Sequence, residues 1–415
     1  MGRLVLLSRF FFSIHYKTNA MENPSNIIRS WGLQQNFQSV DGSVNKLAPP
    51  PYRSIKSLFV QTWREDQLST ALDWDSKQFS ILLPESLRVI SAAYLKIDLP
   101  ASIAYKAFPG MYVVKNIRVL SAGQECYNVN IADMLSDYCS SLSNEEAKTF
   151  ANCYLGGTTQ STGARSVYIP FPTPNSAYMN RNGHDVAGHG ILPCFTGNTR
   201  LELQVTLNPA TFVAHDPAAA PGTIAGACSV MYHEVMMTQT DLERYSDLRG
   251  NYNIITRRLQ DLSSGWQTYP AANQEMSVIL SSPQGVVTQL ILVAVATDEN
   301  DHRLSAKDFV KATSIKVIAD SICQLNLDTA DKCKIHLWTN GFVENDHFPN
   351  ASRIAFAAHA GEDASHTYRG GYKMTLASNV VLSFSFAQPV KYRIIAAQLQ
   401  RVTCDNRGVF HATLE

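Results

Sequence analysis

The sequence has no surplus of charge of either sign. Lys and Arg number 35, Asp and Glu also 35, and charged residues make up only 17% of 415 residues. A surface built to grip nucleic acid by neutralising phosphates needs a basic excess, so specific nucleic-acid binding is not expected. Intrinsic disorder is excluded as well, because it needs low hydrophobicity and high net charge, and 45% of this chain is hydrophobic. A near-neutral, charge-poor surface favours association.

Long hydrophobic runs are missing too. The run from Leu290 to Ala296 is strand-length, far short of the ~20 residues that cross a bilayer. The eight cysteines, at 126, 139, 153, 194, 228, 323, 333 and 404, form no C-x-x-C pair. Zinc ribbons and thioredoxin-type redox sites are therefore excluded, and free thiols are expected in place of a disulfide framework.

The motifs of common enzymes are absent. There is no Gly-Lys dipeptide for a phosphate loop and no G-x-S-x-G elbow. Gly188-His189-Gly190 lacks the third glycine of a dinucleotide fingerprint, and His233-Glu234 has Met237 where a zinc protease has its second histidine. His184, His189 and His215 have spacings that fit no metal frame. Glu145-Glu146 suits the first turn of a helix, and Asp298-Glu299-Asn300-Asp301 a solvated loop. No catalytic residue, cofactor or metal is expected.

What the sequence does have is a succession of short β-type runs. Leu201, Leu203, Val205 and Leu207 alternate with polar residues, as do Tyr94-Leu95-Lys96-Ile97-Asp98-Leu99 and Asn116-Ile117-Arg118-Val119. Later come Val286 to Ala296, Ser314 to Ala319, Val380 to Phe386, and Tyr392 to Val402. Cys333, Ile335 and Leu337, alternating with Lys332, Lys334 and His336, read as one more strand. Gly, Pro, Asn and Asp fill the gaps. Many short strands without long helices between them point to an all-β sandwich or barrel.

Helices are few. Ser143-Asn144-Glu145-Glu146 is a capping box opening a helix to about Tyr154, stopped by Gly156-Gly157. Thr240-Asp241-Leu242-Glu243 opens another that runs to Gly250, and Ser305-Ala306-Lys307-Asp308 starts a third. The helix at Thr240 separates two β-rich regions, each long enough for an eight-stranded sandwich. The expected organisation is an extended arm over 1–53, a sandwich over 54–239, a helical linker over 240–252 and a second sandwich over 253–415.

The arm is rich in Asn, Ser, Gln and Pro. Residues 4–14 are mostly apolar, but Arg9 interrupts the core that a signal peptide needs. The expectation is a flexible or membrane-brushing arm in preference to a secretion signal. Pro49-Pro50-Pro51-Tyr52 is a candidate ligand of a WW-type groove, since such a segment adopts a polyproline helix.

Taken in order, these segments resemble the double jelly-roll, hexon-type major capsid proteins of icosahedral double-stranded DNA viruses, the lineage of nucleocytoplasmic large DNA viruses, virophages and adenovirus-like relatives. The carriers are Tyr94 to Pro100, then Val114 to Gln124 with Ala122 in place of the first glycine of a Gly-Gly-Gln turn, then the helical stretch Ile131 to Tyr154. Val167-Tyr168-Ile169-Pro170-Phe171-Pro172, Ile191-Leu192-Pro193, Leu201 to Leu207, Tyr232-His233-Glu234-Val235, the linking segment Thr240-Asp241-Leu242-Glu243-Arg244 and Tyr392 to Gly408 complete the series. The resemblance covers about 55–415. It implies two tandem eight-stranded jelly rolls and homotrimeric capsomers of pseudo-hexameric outline. It also implies contacts with neighbouring capsomers, penton and minor capsid proteins and, through the arm, an internal membrane. The implied location is the virion, assembled in the host cytoplasm or nucleus.

A carbohydrate-binding or carbohydrate-cleaving double β-sandwich is the alternative. Its aromatic platforms would come from Trp31, Trp63, Trp74, Trp266 and Trp338. A minor penton-type protein carries a single roll and fits poorly.

Overall fold

The computed structural model describes residues 60–68, 78–83, 89–101, 103–140, 142–159, 161–170, 192–193, 201–215, 228–236, 253–280, 285–296, 309–340, 342, 344, 348, 351–356, 371–377, 379–405 and 409–414. The arm, the linker helix at Thr240 and the helix at Ser305 lie outside these residues.

Eight main strands make the first roll: β1 (Val60–Gln67), β2 (Gln78–Leu82), β3 (Val89–Leu99), β4 (Val114–Ser121), β5 (Gln124–Asn130), β6 (Arg165–Pro170), β7 (Leu201–Leu207) and β8 (Cys228–Met236). They form two antiparallel sheets in the orders β1-β8-β3-β6 and β2-β7-β4-β5, with the short piece Leu192–Pro193 added to β3. The second roll repeats the series as β9 (Asn253–Asp261), β10 (Met276–Leu280), β11 (Val286–Ala296), β12 (Ser314–Ala319), β13 (Ile322–Leu327), β14 (Ser352–Ala355), β15 (Val380–Ser385) and β16 (Val390–Cys404). Its sheets run β9-β16-β11-β14 and β10-β15-β12-β13. Each strand of the second roll has a counterpart eight places earlier. A jelly roll has been laid down twice. A last strand, β17 (Phe410–Leu414), pairs with β16.

Alternation drives the sandwiching. Along β7 the leucines and valine are buried and Glu202, Gln204 and Thr206 half-buried, the period that puts one face on a core. Leu95, Ile97 and Leu99 of β3 meet Val167 and Ile169 of β6 across the sheet and share one cluster with Leu203 and Val205. In the second roll Leu290, Leu292 and Ala294 of β11 join Leu382 and Phe384 of β15. β11 departs from alternation, because Val287 and every residue from Gln289 to Val295 are buried. Both faces of that strand are therefore covered, the signature of a sheet layered on two sides.

Four helices lie in the described connections: α1 (Pro109–Val113), α2 (Ile131–Cys139), α3 (Asn144–Tyr154) and α4 (Ala330–Thr339). The expected capping box is present on α3. Ser143 Oγ accepts from Glu146 N at 3.4 Å, and Ser143 N donates to Glu146 Oε2 at 2.9 Å. Past its end Gly156 has φ +83, and a Cβ there would lie 2.8 Å from Pro109 Cγ, so the stop needs glycine.

The strand expected at Cys333, Ile335 and Leu337 is α4. Thr329 caps it by accepting from Lys332 N at 3.3 Å, and Asp331 sits in its first turn. Cys333 and Leu337 are four apart and so share a helix face as readily as a strand face; they are buried while Ile335 points to solvent. The alternation over so short a run served either period, and the cap decided it.

β4 and β5 are joined by a two-residue turn, with φ +50 at Ala122 and +77 at Gly123. Positive φ at both positions is the hairpin turn that matches strand twist, and the left-handed region costs alanine ~1 kcal/mol. Ala122→Gly should therefore stabilise the protein by about 1 kcal/mol, read as a higher denaturant midpoint with unchanged slope.

Candidate functional site

No enclosed chemical site emerges from the described residues. No group of three His, Cys, Asp or Glu side chains among them is placed to hold a metal. The crevice lined by Glu125, Tyr127, Asn128, Arg258 and Gln400 measures about 60 Å³, well below the several hundred Å³ of ligand sites. No described helix is long and apolar enough to cross a membrane.

Burial pushes the Cys126 and Cys228 thiols up to about 12 and that of Cys333 to about 11, which keeps them protonated and unreactive. Cys126, Cys139, Cys153, Cys228, Cys323 and Cys333 are free thiols.

Pro49, Pro50, Pro51 and Tyr52 lie outside the described residues, as do His184, His189, Trp31, Trp74 and Asp298 to Asp301. His215 is exposed and comes just after the turn Ala210–Phe212. Glu145 and Glu146 sit in the first turn of α3. Of the tryptophans, Trp266 lies beneath Arg393, with the guanidinium carbon 4.9 Å from its ring centre, Trp63 is exposed on β1, and Trp338 is exposed on α4. These positions assemble no shared sugar platform, and no observation favours the carbohydrate reading.

The built site is the seam between the rolls. Ile291 and Val293 of β11 and Ile395 of β16 point away from the second roll's core and form a separate buried cluster with Ala351, against which Leu259, Trp266 and Phe309 pack. Arg353 and Arg393 stand on the same outer face, since they pair in register with Ile291 and Val293.

Both arginines reach α2 of the first roll. Arg353 and Asp137 form an ion pair in which each side chain is at most 3% exposed. Gln289 Oε1 accepts from the Arg353 guanidinium at 3.3 Å and Ser136 O at 3.4 Å, and the cation lies over the Phe342 ring. Arg393 donates to Asp133 at 2.5 Å and lies 3.5 Å from Asp261. Burial pushes the Asp133 carboxyl above the ordinary carboxylate range, against the pull of Arg393.

The local sequence explains why α2 can do this. Asn130 Oδ1 accepts from Asp133 N at 3.1 Å and starts the helix directly after β5. Ile131, Met134 and Leu135 bury themselves in the first roll, and Asp133 and Asp137, four apart, share the opposite side.

Further along the seam β5 runs beside β9 and β17. Gln400 Nε2 donates to Cys126 O at 2.7 Å, and Phe410 N to Ser121 Oγ at 3.1 Å. Val402, Phe410 and Phe348 of the second roll join the first roll's core cluster, and the Phe348 ring lies 4.9 Å from that of Phe108.

This is a pair of jelly rolls fixed side by side, the double jelly-roll class. Among solved structures the chain is similar to the PBCV-1 virus capsid subunit (11% identity, TM-score 0.64, 88% of this chain and 98% of that one). It is also similar to the mavirus major capsid protein (8%, 0.56, 100% and 96%) and the Faustovirus major capsid protein (8%, 0.55, 86% and 92%). No family model matches the sequence, and no curated protein matches it. At these identities the likeness establishes the fold.

Sequence reasoning missed the seam because Arg353 and Asp137 are 216 positions apart. One signal pointed to it: the unbroken apolar run in β11, which a sheet with a solvated face has no use for.

Removing Asp137 leaves Arg353 buried without its carboxylate, which costs about 3–5 kcal/mol. Asp137→Ala should lower the thermal midpoint sharply, whereas Asp137→Leu combined with Arg353→Met should recover most of the loss. Native protein treated with iodoacetamide near pH 8 should leave Cys126, Cys139, Cys228 and Cys333 unmodified, with all four alkylated after denaturation, as read by peptide mass spectrometry.

Proposed function

We propose that this chain is a major capsid protein whose homotrimers form pseudo-hexameric capsomers and tile an icosahedral shell of a DNA virus. The carrying observation is the locked pair of jelly rolls, matched over nearly the full length of solved capsid subunits. A subunit made of two similar rolls lets three copies present six similar flanks, so three-fold symmetry gives a six-fold outline.

The physical demands of a shell agree with the composition. Copies packed at high density must not repel one another, and a chain of zero net charge does not. The role is structural. Neighbouring capsomers, penton and minor capsid proteins are the partners, with the virion as location. The arm supplies two finer contacts in this reading: its apolar residues 4–14 reach an internal membrane, and Pro49 to Tyr52 offer a polyproline ligand to a WW-type partner.

Purified full-length protein should elute, by light scattering, at three times 45.9 kDa, and electron micrographs should show particles with hexagonal outline. A stable monomer at micromolar concentration overturns the proposal.

A further inference from the structure

We infer that His336 is an acid-released latch: its neutral ring ties α4 to the edge strand β14, and a proton taken up there frees the helix and unlocks the seam between the rolls.

The latch begins with an edge. β14 is the last strand of the sheet β9-β16-β11-β14, and backbone groups on the open side of such a strand need partners. α4 packs chiefly on this strand and also on β12 and β13. Ala355 N donates to His336 Nε2 at 3.1 Å. A ring nitrogen accepts only while it carries no hydrogen, so this bond requires the neutral form of His336 protonated on Nδ1. The imidazolium has N–H at both nitrogens and faces the Ala355 N–H donor to donor.

The surroundings oppose the charge as well. His336 is half-buried, with Cys333 and Leu337 of the same helix buried. Burial holds its imidazole below the ordinary histidine range. The charged groups on the elements around it are engaged elsewhere or face water. On α4, Lys332 reaches Asp328 at 2.7 Å, while Asp331 and Lys334 are exposed. On β12, Lys316 reaches Glu275 at 3.2 Å, and β13 carries no charged residue. On β14, Arg353 is held by Asp137, and beyond the helix Glu344 pairs with Lys311.

What α4 holds in place is the seam. Just past its end, Phe342 N donates to Leu337 O at 3.0 Å. The Phe342 ring centre lies 5.2 Å from the guanidinium carbon of Arg353, the arginine buried with Asp137 of α2. Arg353 and Ala355 are two apart on one strand, so the latch and the seam share a backbone. A helix that leaves β14 takes Phe342 with it and admits water to the ion pair. A solvated pair contributes far less than a buried one to holding two surfaces in register.

The direction of the response follows from the two forms. With α4 docked, the ring favours the neutral state; with α4 released, it titrates at the ordinary histidine value. The released form therefore binds more protons. Docking weakens as pH falls below about 6.5, by at most about tenfold per pH unit, and the loss ends below the docked value. This switch belongs to the single chain and needs no second copy.

The test follows Cys333, buried on α4, and the backbone amides of 330–339 and Ala355 in the full-length protein. 4,4′-Dithiodipyridine, which reacts with thiols in acid, is applied at about pH 7.5 and about pH 5, on either side of the histidine range. Peptide mass spectrometry reads the labelled sites, and the denatured chain supplies the reagent's own pH dependence. After that allowance, Cys333 should react at least about threefold faster at the lower pH, while Cys228, inside the first roll, stays shielded. Hydrogen exchange of the α4 amides, corrected for the chemical rate, should rise in parallel, and that of residues 131–139 in α2 should rise with it. His336→Gln keeps an acceptor for Ala355 N without a titratable ring, and should hold α4 shut at both pH values. The profile of the unmodified protein decides the matter even where that variant fails to fold. Cys333 labelled alike at both pH values overturns the latch, as does a folded His336→Gln protein that opens in acid like the unmodified one. Cys228 reacting in step with Cys333 marks general unfolding and overturns it too. Amides of α2 that stay protected while α4 opens overturn the unlocking of the seam.

Discussion

The ion pair between Arg353 and Asp137 is the constraint on which the rest depends. Two sandwiches of similar make could meet at many angles if only apolar faces joined them, because the hydrophobic effect has no direction. A buried guanidinium and carboxylate accept few arrangements, since a small displacement leaves each charge without its partner in a medium that solvates neither. The apolar cluster around Ile291 and Ile395 supplies the adhesion, and the arginines supply the register. The second pair, Arg393 with Asp133, repeats the demand one helical turn away and prevents rotation about the first.

Most of the sandwich architecture was legible in the sequence. Alternation marked β7, β12 and β15 with nearly their observed limits, because each has one face on a core and one toward polar surroundings. The capping box of α3 was legible for an equally local reason: its bonds span three residues. α4 was misread because Cys333, Ile335 and Leu337 satisfied two periods at once. Nothing in the short run distinguished them except Thr329, and a threonine caps a helix or edges a strand with equal ease. The candidate ligand motif at Pro49 to Tyr52 lies outside the described residues, so its reading rests on sequence alone.

The seam was illegible for a different reason. Its parts are ordinary residues in their own segments: an aspartate on a helix, an arginine in a strand. They acquire meaning only when two halves of the chain meet. The run in β11 signalled a second covered face but not what covered it. Repetition of the strand order, invisible at the level of residue identity, is what relates one half to the other. The two rolls share a plan and differ on their outer faces.

The placement of Val402 and Phe410 in the first roll's core cluster has a consequence for the order of events on the ribosome. The strands between 60 and 236 leave the exit tunnel early, yet part of their hydrophobic cluster is encoded more than 150 residues later. Until those residues emerge, the early half waits with an unfilled flank, vulnerable to other nascent chains. Synthesis of such a protein rewards chaperone protection through to its final segments, and premature truncation releases a sticky intermediate in place of a smaller stable domain.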